Sequence, residues 1–555
     1  MLRWTALVAG CLLWGAATLH AEDEGPLTRF SSDAAVVVRL AAPEKTIGQV
    51  ADLVDAIQPG FGDQVRQQGD MIGVAISNPT LAGVDKTEDW YLIVFANAEG
   101  PPTAIFAIPA TDAKALAEAL PENLVSEIDG DWVYYTDKNQ GLPEKLTKDD
   151  ESIEDGMGDE AGKLFDKGDL AIYVNVEDLA ETYKAQLEEA QAKAKEALEN
   201  LPNQLGPQGE QMKPALAMYG ELLEKLMVAV GDGEELTIAL NIDKTGLTIE
   251  DYGVFGEDSA TAKGLAAHPV SKMAMLGKLP PSAIGYVGVS ANFGKLIQWG
   301  LKYSTEMLQD ETQKAALTKA IDGMKDVAFS GMVNAFDIGD TKGGLIKMVG
   351  VAECTPVDKL KTQMRSISKS MGKIEYPGFS QETTVKEDAE TIAGQKVDLI
   401  TIKQEVEDQN AAMIQTAMFG PDGMTSRVAY VDKGYIQTMG GGKGAMEAAL
   451  KSYKAPSSSS AATAFQAKLL PASNLTWMVD LPTLAVRAAK VAGDFGAQLP
   501  FEASELDGLE VTPSFMGGAV AVEKNAVRAK FTLPVEQAQN IAKLVMFGIQ
   551  KQQGR

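Results

Sequence analysis

The sequence predicts an α+β fold laid out as a tandem duplication. Each half carries mainly antiparallel sheet, with helices packed on one face. Three internal matches, in chain order, predict it. Lys163-Leu164-Phe165 is followed by Leu170, Val174, Asn175, Val176 and Leu179. Lys468-Leu469-Leu470 is followed by Leu475, Val479, Asp480, Leu481 and Leu484, at a constant offset of 305. A second pair starts at Phe30 and Leu279, offset 249, and sets Ala34, Val38 and Leu40 against Ala283, Val287 and Val289. The third is a hairpin, Leu240 to Leu247, matched by Val520 to Val527. Apolar residues alternate up to an acidic-Lys turn and then resume.

Periodicity places the elements of the first half. Val36–Leu40 reads as a strand, and Ile47, Val50, Leu53, Val54 and Ile57 form a helix face. Strands at Trp90–Ala96 and Thr103–Ile108 follow, Thr111 caps a helix through Leu120, and Trp132–Thr136 returns as a strand. The order βαββαβ is that of a split βαβ unit. Farther on, Leu179–Leu201 and Leu216–Val230 read as a helical hairpin. Tyr183, Leu187, Ala190, Ala194, Ala197 and Leu201 form a coiled-coil-like seam packed on the partner arm.

In the second half, Ala283–Ser290 is a strand and Leu296 to Met324 is helical. Strands lie around Val333 and at Leu345–Ala352, and Thr355 caps the helix carrying Leu360 and Met364. Tyr430 to Met439 is a hairpin leading into a helix at Ala445–Tyr453. Thr111 and Thr355 stand 244 apart, whereas Asp129-Gly130 and Asp432-Lys433 stand 303 apart. The second half has therefore gained about 59 residues, including an extra hairpin at Thr383–Lys386 and Lys396–Ile402.

The expected layout is a signal segment 1–21, a first half 22–275 and a second half 276–555. The first half has parts at about 30–150 and 163–268, with an acidic linker at 147–162. The second has parts at about 279–455 and 465–555, an insertion at about 365–428 and a Ser-rich linker at 456–462. On this pattern of strand-helix openings and repeated halves, the chain resembles a broad group of exported bacterial proteins of unknown function with duplicated α+β halves. That resemblance implies no activity, cofactor or site residue.

Export is expected from the N-terminus. Met1-Leu2-Arg3 is a positive start, Trp4 to Leu19 an apolar core, and Leu19-His20-Ala21 ends on a small residue before Glu22-Asp23-Glu24. Val8-Ala9-Gly10-Cys11 fits a lipidation box, but only seven residues separate Arg3 from Cys11 and ten mostly apolar residues follow, so plain export to the periplasm or medium is preferred. No later run approaches the ~18 apolar residues of a membrane helix, so no transmembrane anchor is expected.

The 555 residues hold 77 acidic against 50 basic side chains, a net charge of −27. That field repels nucleic acid and anionic membrane. The chain has 2 Cys and 2 His, and removing residues 1–21 leaves Cys354 and His268. Disulfides, a His/Cys zinc site and two-histidine catalysis are excluded from such a mature chain, and no cofactor is expected. Cys354 matches Ala110 of the other half and is read as a small residue; His268, beside Pro269, is read as a linker residue.

Four patterns offer chemistry. Ser366-Ile367-Ser368-Lys369 and Ser370-Met371-Gly372-Lys373 both satisfy S-x-x-K, where lysine activates serine one turn away. Ser290-Ala291-Asn292 and Lys244-Thr245-Gly246 complete a look-alike set, but in the wrong order for the penicillin-recognising enzymes. Gly440-Gly441-Gly442-Lys443-Gly444 joins a strand to a helix, where backbone N–H groups hold anions. It lacks the Gly-Lys-Ser/Thr of a P-loop, and its counterpart Asp137 to Gly141 reads as the same turn with one glycine. The acidic stretch Asp149, Asp150, Asp155 and Asp159 offers oxygen ligands for Ca²⁺ but misses EF-hand spacing, because Ile153 falls at a ligand position. Paired carboxylates for hydrolysis are a spatial property that the sequence does not display. Together these predict a non-catalytic binding or scaffolding protein of the cell envelope, its partner an apolar ligand or another envelope protein. The alternative is a secreted hydrolase using carboxylates or a Ser-Lys pair in the insertion.

Overall fold

The computed structural model describes residues 25–553 apart from 144–150, 206, 292–304, 306–309, 341–342, 377–378, 458–459, 495–500 and 510. The chain is mixed helix and strand with large antiparallel sheet. It forms two compact units. The first comprises Met1–Glu196, Leu223–Leu265 and Glu523–Gln539, and the second Ala197–Leu222, Ala266–Val522 and Asn540–Arg555.

In the first unit the strands are β1 (Ala34–Leu40), β2 (Trp90–Phe95), β3 (Thr103–Pro109), β4 (Leu124–Asp129), β5 (Trp132–Asp137), β6 (Leu170–Asn175), β7 (Gly233–Asp243) and β8 (Gly246–Phe255). All neighbours are antiparallel, and the spatial order is β4-β5-β3-β2-β1-β6-β7-β8. A ninth strand, Ala526–Pro534 near the far end of the chain, then pairs with β8.

The second unit runs β9 (Gly285–Val289), β10 (Ala328–Asp340), β11 (Gly344–Thr355), β12 (Lys373–Tyr376), β13 (Phe379–Ile392), β14 (Gln395–Val406), β15 (Met424–Val431), β16 (Gly434–Met439), β17 (Leu475–Val479) and β18 (Met516–Glu523), which leaves β19 for Ala526–Pro534. Its order is β12-β13-β14-β15-β16-β11-β10-β9-β17-β18, again antiparallel throughout.

Registers follow the sequence offsets residue by residue. Leu40 stands opposite Leu170, and Val289 opposite Leu475. Leu170 stands opposite Leu240, and Leu475 opposite Val520. One offset needs correction. Asp129 pairs with Trp132 and Val431 with Gly434, so these hairpins stand 302 apart and not 303.

The sequence reading missed β4, whose Ser126, Glu127 and Ile128 are exposed on a sheet edge and carry little alternation. It also misplaced two caps. Asp112, not Thr111, accepts the N–H of Ala115 at the start of the helix Ala113–Ala119. Thr355 ends β11, and Pro356 occupies the cap position of the helix Val357–Met371.

Helices cover both sheet faces rather than one. In the first unit Leu40, Trp90, Ile108, Val133 and Leu170 pack with Ile47 and Val50 of the helix Pro43–Ile57. Their sequence neighbours Val37, Ile93, Ala107, Tyr134 and Ala171 pack on the other side with Phe30 and Phe165. Runs such as Trp90-Tyr91-Leu92-Ile93-Val94-Phe95 do not alternate because both faces are covered. The second unit repeats this, with Ile436 in one apolar cluster and Tyr435 against another.

Candidate functional site

A polar concavity lies in the second unit, where β11, β15 and β16 end together. Met348 pairs with Met439, and Ser426 pairs with the same Met439. Directly beyond, Gly440, Gly441 and Gly442 take φ of +70°, +65° and +61°. A side chain at Gly440 would meet the Ile346 carbonyl at 2.2 Å, so only glycine brings the turn this close to β11. Gly441 then caps the 13-residue helix Gly442–Lys454 without any side-chain cap. The first-turn N–H groups of that helix therefore have no helical acceptor.

These glycines line a cleft of about 440 Å³ together with Lys347, Thr425, Arg427 and the turn Phe419 to Gly423. Arg427 donates to Glu390 through Nε at 2.8 Å and Nη2 at 3.3 Å, and Lys443 lies 3.5 Å from the same carboxylate. The bond from Arg427 holds the Glu390 carboxyl below its usual range. Lys347 and Asp422 complete the charged rim. Such a cleft suits a small anion with a cationic neighbour.

Of this site, only the run Gly440 to Gly444 is displayed locally in the sequence. Lys347, Arg427, Glu390 and Asp422 lie 13 to 93 positions before Gly440 and reach it only through the fold. The pairing of β11 with β16, which the offsets 244 and 302 carry over from β3 and β5, is the signal that would have placed Lys347 there.

In the turn after β5 of the first unit, the backbone is served from within. The Asp137 carboxylate accepts the Asn139 N–H at 2.8 Å and Asn139 Nδ2 at 2.7 Å, while Gln140 N–H goes to the Asp137 carbonyl. The 302 offset sets Met439 where that carboxylate stands.

The serine-lysine pairs do not meet. Ser366 and Ser370 lie on the helix Val357–Met371, and the Ser370 hydroxyl donates to the Ser366 carbonyl at 2.9 Å. Lys369 is ion-paired with Glu387, and Lys373 with Glu375. The bond to Glu375 pushes the Lys373 ammonium above its ordinary value, the wrong direction for a general base. Of the calcium candidates, Asp149 and Asp150 lie outside the described residues. Asp155 closes a capping box with Ser152, and Asp159 opens the helix Asp159–Lys167. Among the described residues no three His, Cys, Asp or Glu side chains gather as a metal site.

Cys354 is buried beside Met324, Val327 and Leu360, and burial pushes its thiol up to about 11. The carbonyls of His268 and Pro269 accept from Asn474 Nδ2, at 2.9 and 3.2 Å. In the first unit a small apolar cavity of about 50 Å³ lies among Val38, Leu40, Ile76, Trp90, Phe106 and Leu170. It is well below the ~150 Å³ that admits benzene. No described helix is long and apolar enough to cross a membrane.

Comparison with protein-family models, with curated proteins and with solved structures finds no match for this chain.

Proposed function

We propose that this chain is an exported, non-catalytic binding protein of the cell envelope, built by tandem duplication, whose second half takes up a small anion at the Gly440–Gly442 turn. One observation carries the site. The first half fills the corresponding turn with the carboxylate of Asp137, whereas the second half has Met439 at that position and opens a cleft rimmed by Lys347 and Arg427. An anion there replaces the missing carboxylate.

The duplication is supported by registers. Three sequence offsets reproduce the strand partners Leu40–Leu170 and Val289–Leu475, and Leu170–Leu240 and Leu475–Val520, without adjustment. The strands β12, β13 and β14 and the helix Gln409–Phe419 are the insertion. Export rests on residues 1–21, which lie outside the described residues. Anion binding is favoured over an apolar cargo because the apolar cavity in the first unit is too small for an acyl chain. The hydrolase reading has less support, since Lys369 and Lys373 are ion-paired with Glu387 and Glu375.

Calorimetric titration of the full chain with inorganic phosphate tests the site. A Kd tighter than about 1 mM, or −4.1 kcal/mol, is expected. Met439→Asp supplies the carboxylate from within and abolishes the binding heat while leaving the melting transition in place. Undiminished binding by M439D, or no binding by the wild type, overturns the assignment.

A further inference from the structure

The strand order β4-β5-β3-β2-β1-β6-β7 of the first unit recurs in the second as β15-β16-β11-β10-β9-β17-β18. The two orders differ beyond their first strand. In the second unit β14 lies on the outer side of β15, with Val428 opposite Asp398 and Ser426 opposite Ile400. Among the described strands β4 pairs with β5 alone. The Asn123 carbonyl accepts the Lys138 N–H at 3.0 Å, so alternation turns the backbone groups of Val125, Glu127 and Asp129 toward β5 as well. Those of Ser126 and Ile128 point away from it. The Leu124 carbonyl does too, while the Leu124 N–H is held by the Pro121 carbonyl. Outer strands are ordinarily guarded by charge. Here both charged residues of β4, Glu127 and Asp129, are ion-paired with Arg29 at 3.0 and 2.8 Å. Ser126 is exposed, and Ile128 is 47% exposed.

We infer that β4 pairs antiparallel with β4 of a second copy of this chain, about a two-fold axis at Ser126. Self-complementarity selects this occupant. In that register Ser126 exchanges N–H and carbonyl bonds with its own copy, and each Ile128 N–H meets the partner's Leu124 carbonyl. Ile128 then faces Leu124 across the pair, and Glu127 faces Val125. Apolar side chains meet on one face, and no carboxylate opposes another. The ladder stops at Leu124 because Pro121 already holds that N–H. Two chains of net charge −27 repel each other, so the pairing is weak and strengthens as salt screens that field.

Sedimentation equilibrium of the full chain at low and high salt is the test, with cysteine crosslinking beside it. Wild type is expected to show a reversible dimer that tightens with salt. Ser126→Cys, made together with Cys11→Ser, should form an intermolecular disulfide. Residues that exchange both bonds stand about 5.5 Å apart at Cα, within the range a disulfide spans. Ile128→Cys in the same background is also exposed but faces the partner's Leu124 and not its own copy. It should crosslink at least about tenfold more slowly. Cys354 is buried and does not compete. Ser126→Pro removes an N–H that β5 does not use, so it should weaken the dimer at least about tenfold and keep the fold. A wild type that stays monomeric overturns the inference and leaves this edge to another polypeptide. Equal crosslinking at the two cysteines, or an undiminished dimer in Ser126→Pro, places the interface elsewhere and also overturns it.

Discussion

The carboxylate of Asp169 accepts the backbone N–H of Ile242 at 2.7 Å, at the point where β6 begins and β7 ends. Asn474 does the same in the second unit, accepting the Val522 N–H at 2.8 Å through Oδ1. The backbone around both is alike: the Asp169 carbonyl accepts from Ala41, and the Asn474 carbonyl from Ser290. A side-chain oxygen, not a charge, is what this position needs. Burial raises the Asp169 carboxyl above its ordinary value. Asp169→Asn should therefore be as stable as wild type at neutral pH, and Asp169→Ala should lose about 1–3 kcal/mol by orphaning the Ile242 N–H. Urea unfolding of the two variants distinguishes these outcomes.

Arg365 is the pin of the insertion. It donates to Asp398 through Nε at 2.7 Å and Nη2 at 2.5 Å, to Glu387 at 2.6 Å and to Asp388 at 3.0 Å. Asp398 is 2% exposed and also accepts the Asp388 N–H, which fixes the bulge between Lys386 and Glu390 in β13. Arg365→Ala leaves a buried carboxylate unpaired and should cost about 3–5 kcal/mol. Adding Asp398→Asn should restore part of that loss, measured by the same denaturation.

Asp251, in the middle of β8, has its carboxyl raised by burial alone. The sign follows from linkage. The folded chain holds this proton more tightly than the unfolded one. Its contribution to stability is therefore complete below the ordinary aspartate value and is lost as pH rises through the folded-state value. Asp251→Asn should raise stability at pH 7 by on the order of 1 kcal/mol, with the advantage vanishing toward pH 3. Thermal melts across that range measure it.

The buried thiol of Cys354 should be inert in the native protein at pH 8, since burial pushes it up to about 11. A chromogenic disulfide reagent should label it only after unfolding. Cys354→Ser places a hydroxyl among Met324, Val327 and Leu360 and should destabilise by about 1–3 kcal/mol.

The strands around Leu170–Val174 and Leu475–Val479 were the legible part of this sequence, because their equal apolar spacing falls on strands with corresponding antiparallel registers. The apolar residues of β1 and β2 were legible as strands. That both their faces are covered was written in the unbroken apolar run from Trp90 to Phe95, and was not read there. Edge strand β4 was not legible, since Ser126 and Glu127 face solvent and leave no alternation. The glycine turn showed itself locally, but the cations around it did not. Lys347 and Arg427 are ordinary strand residues until β11, β15 and β16 are laid side by side.

The ladder between β8 and β19 has a further meaning. Gly246 pairs with Pro534 and Ala526 with Val254, so a shift of 280 residues turns each pair into another pair of the same ladder. At its centre Glu250 faces Lys530, and their side chains meet at 3.0 Å. These two residues are each other's counterpart under that shift. With a single sequence on both sides, this position would confront its own copy, and any charge there would oppose itself. Because the two strands of this ladder carry different residues, an acid on one side answers a base on the other, and the ladder is charge-complementary at the one place where its own shift would set like against like.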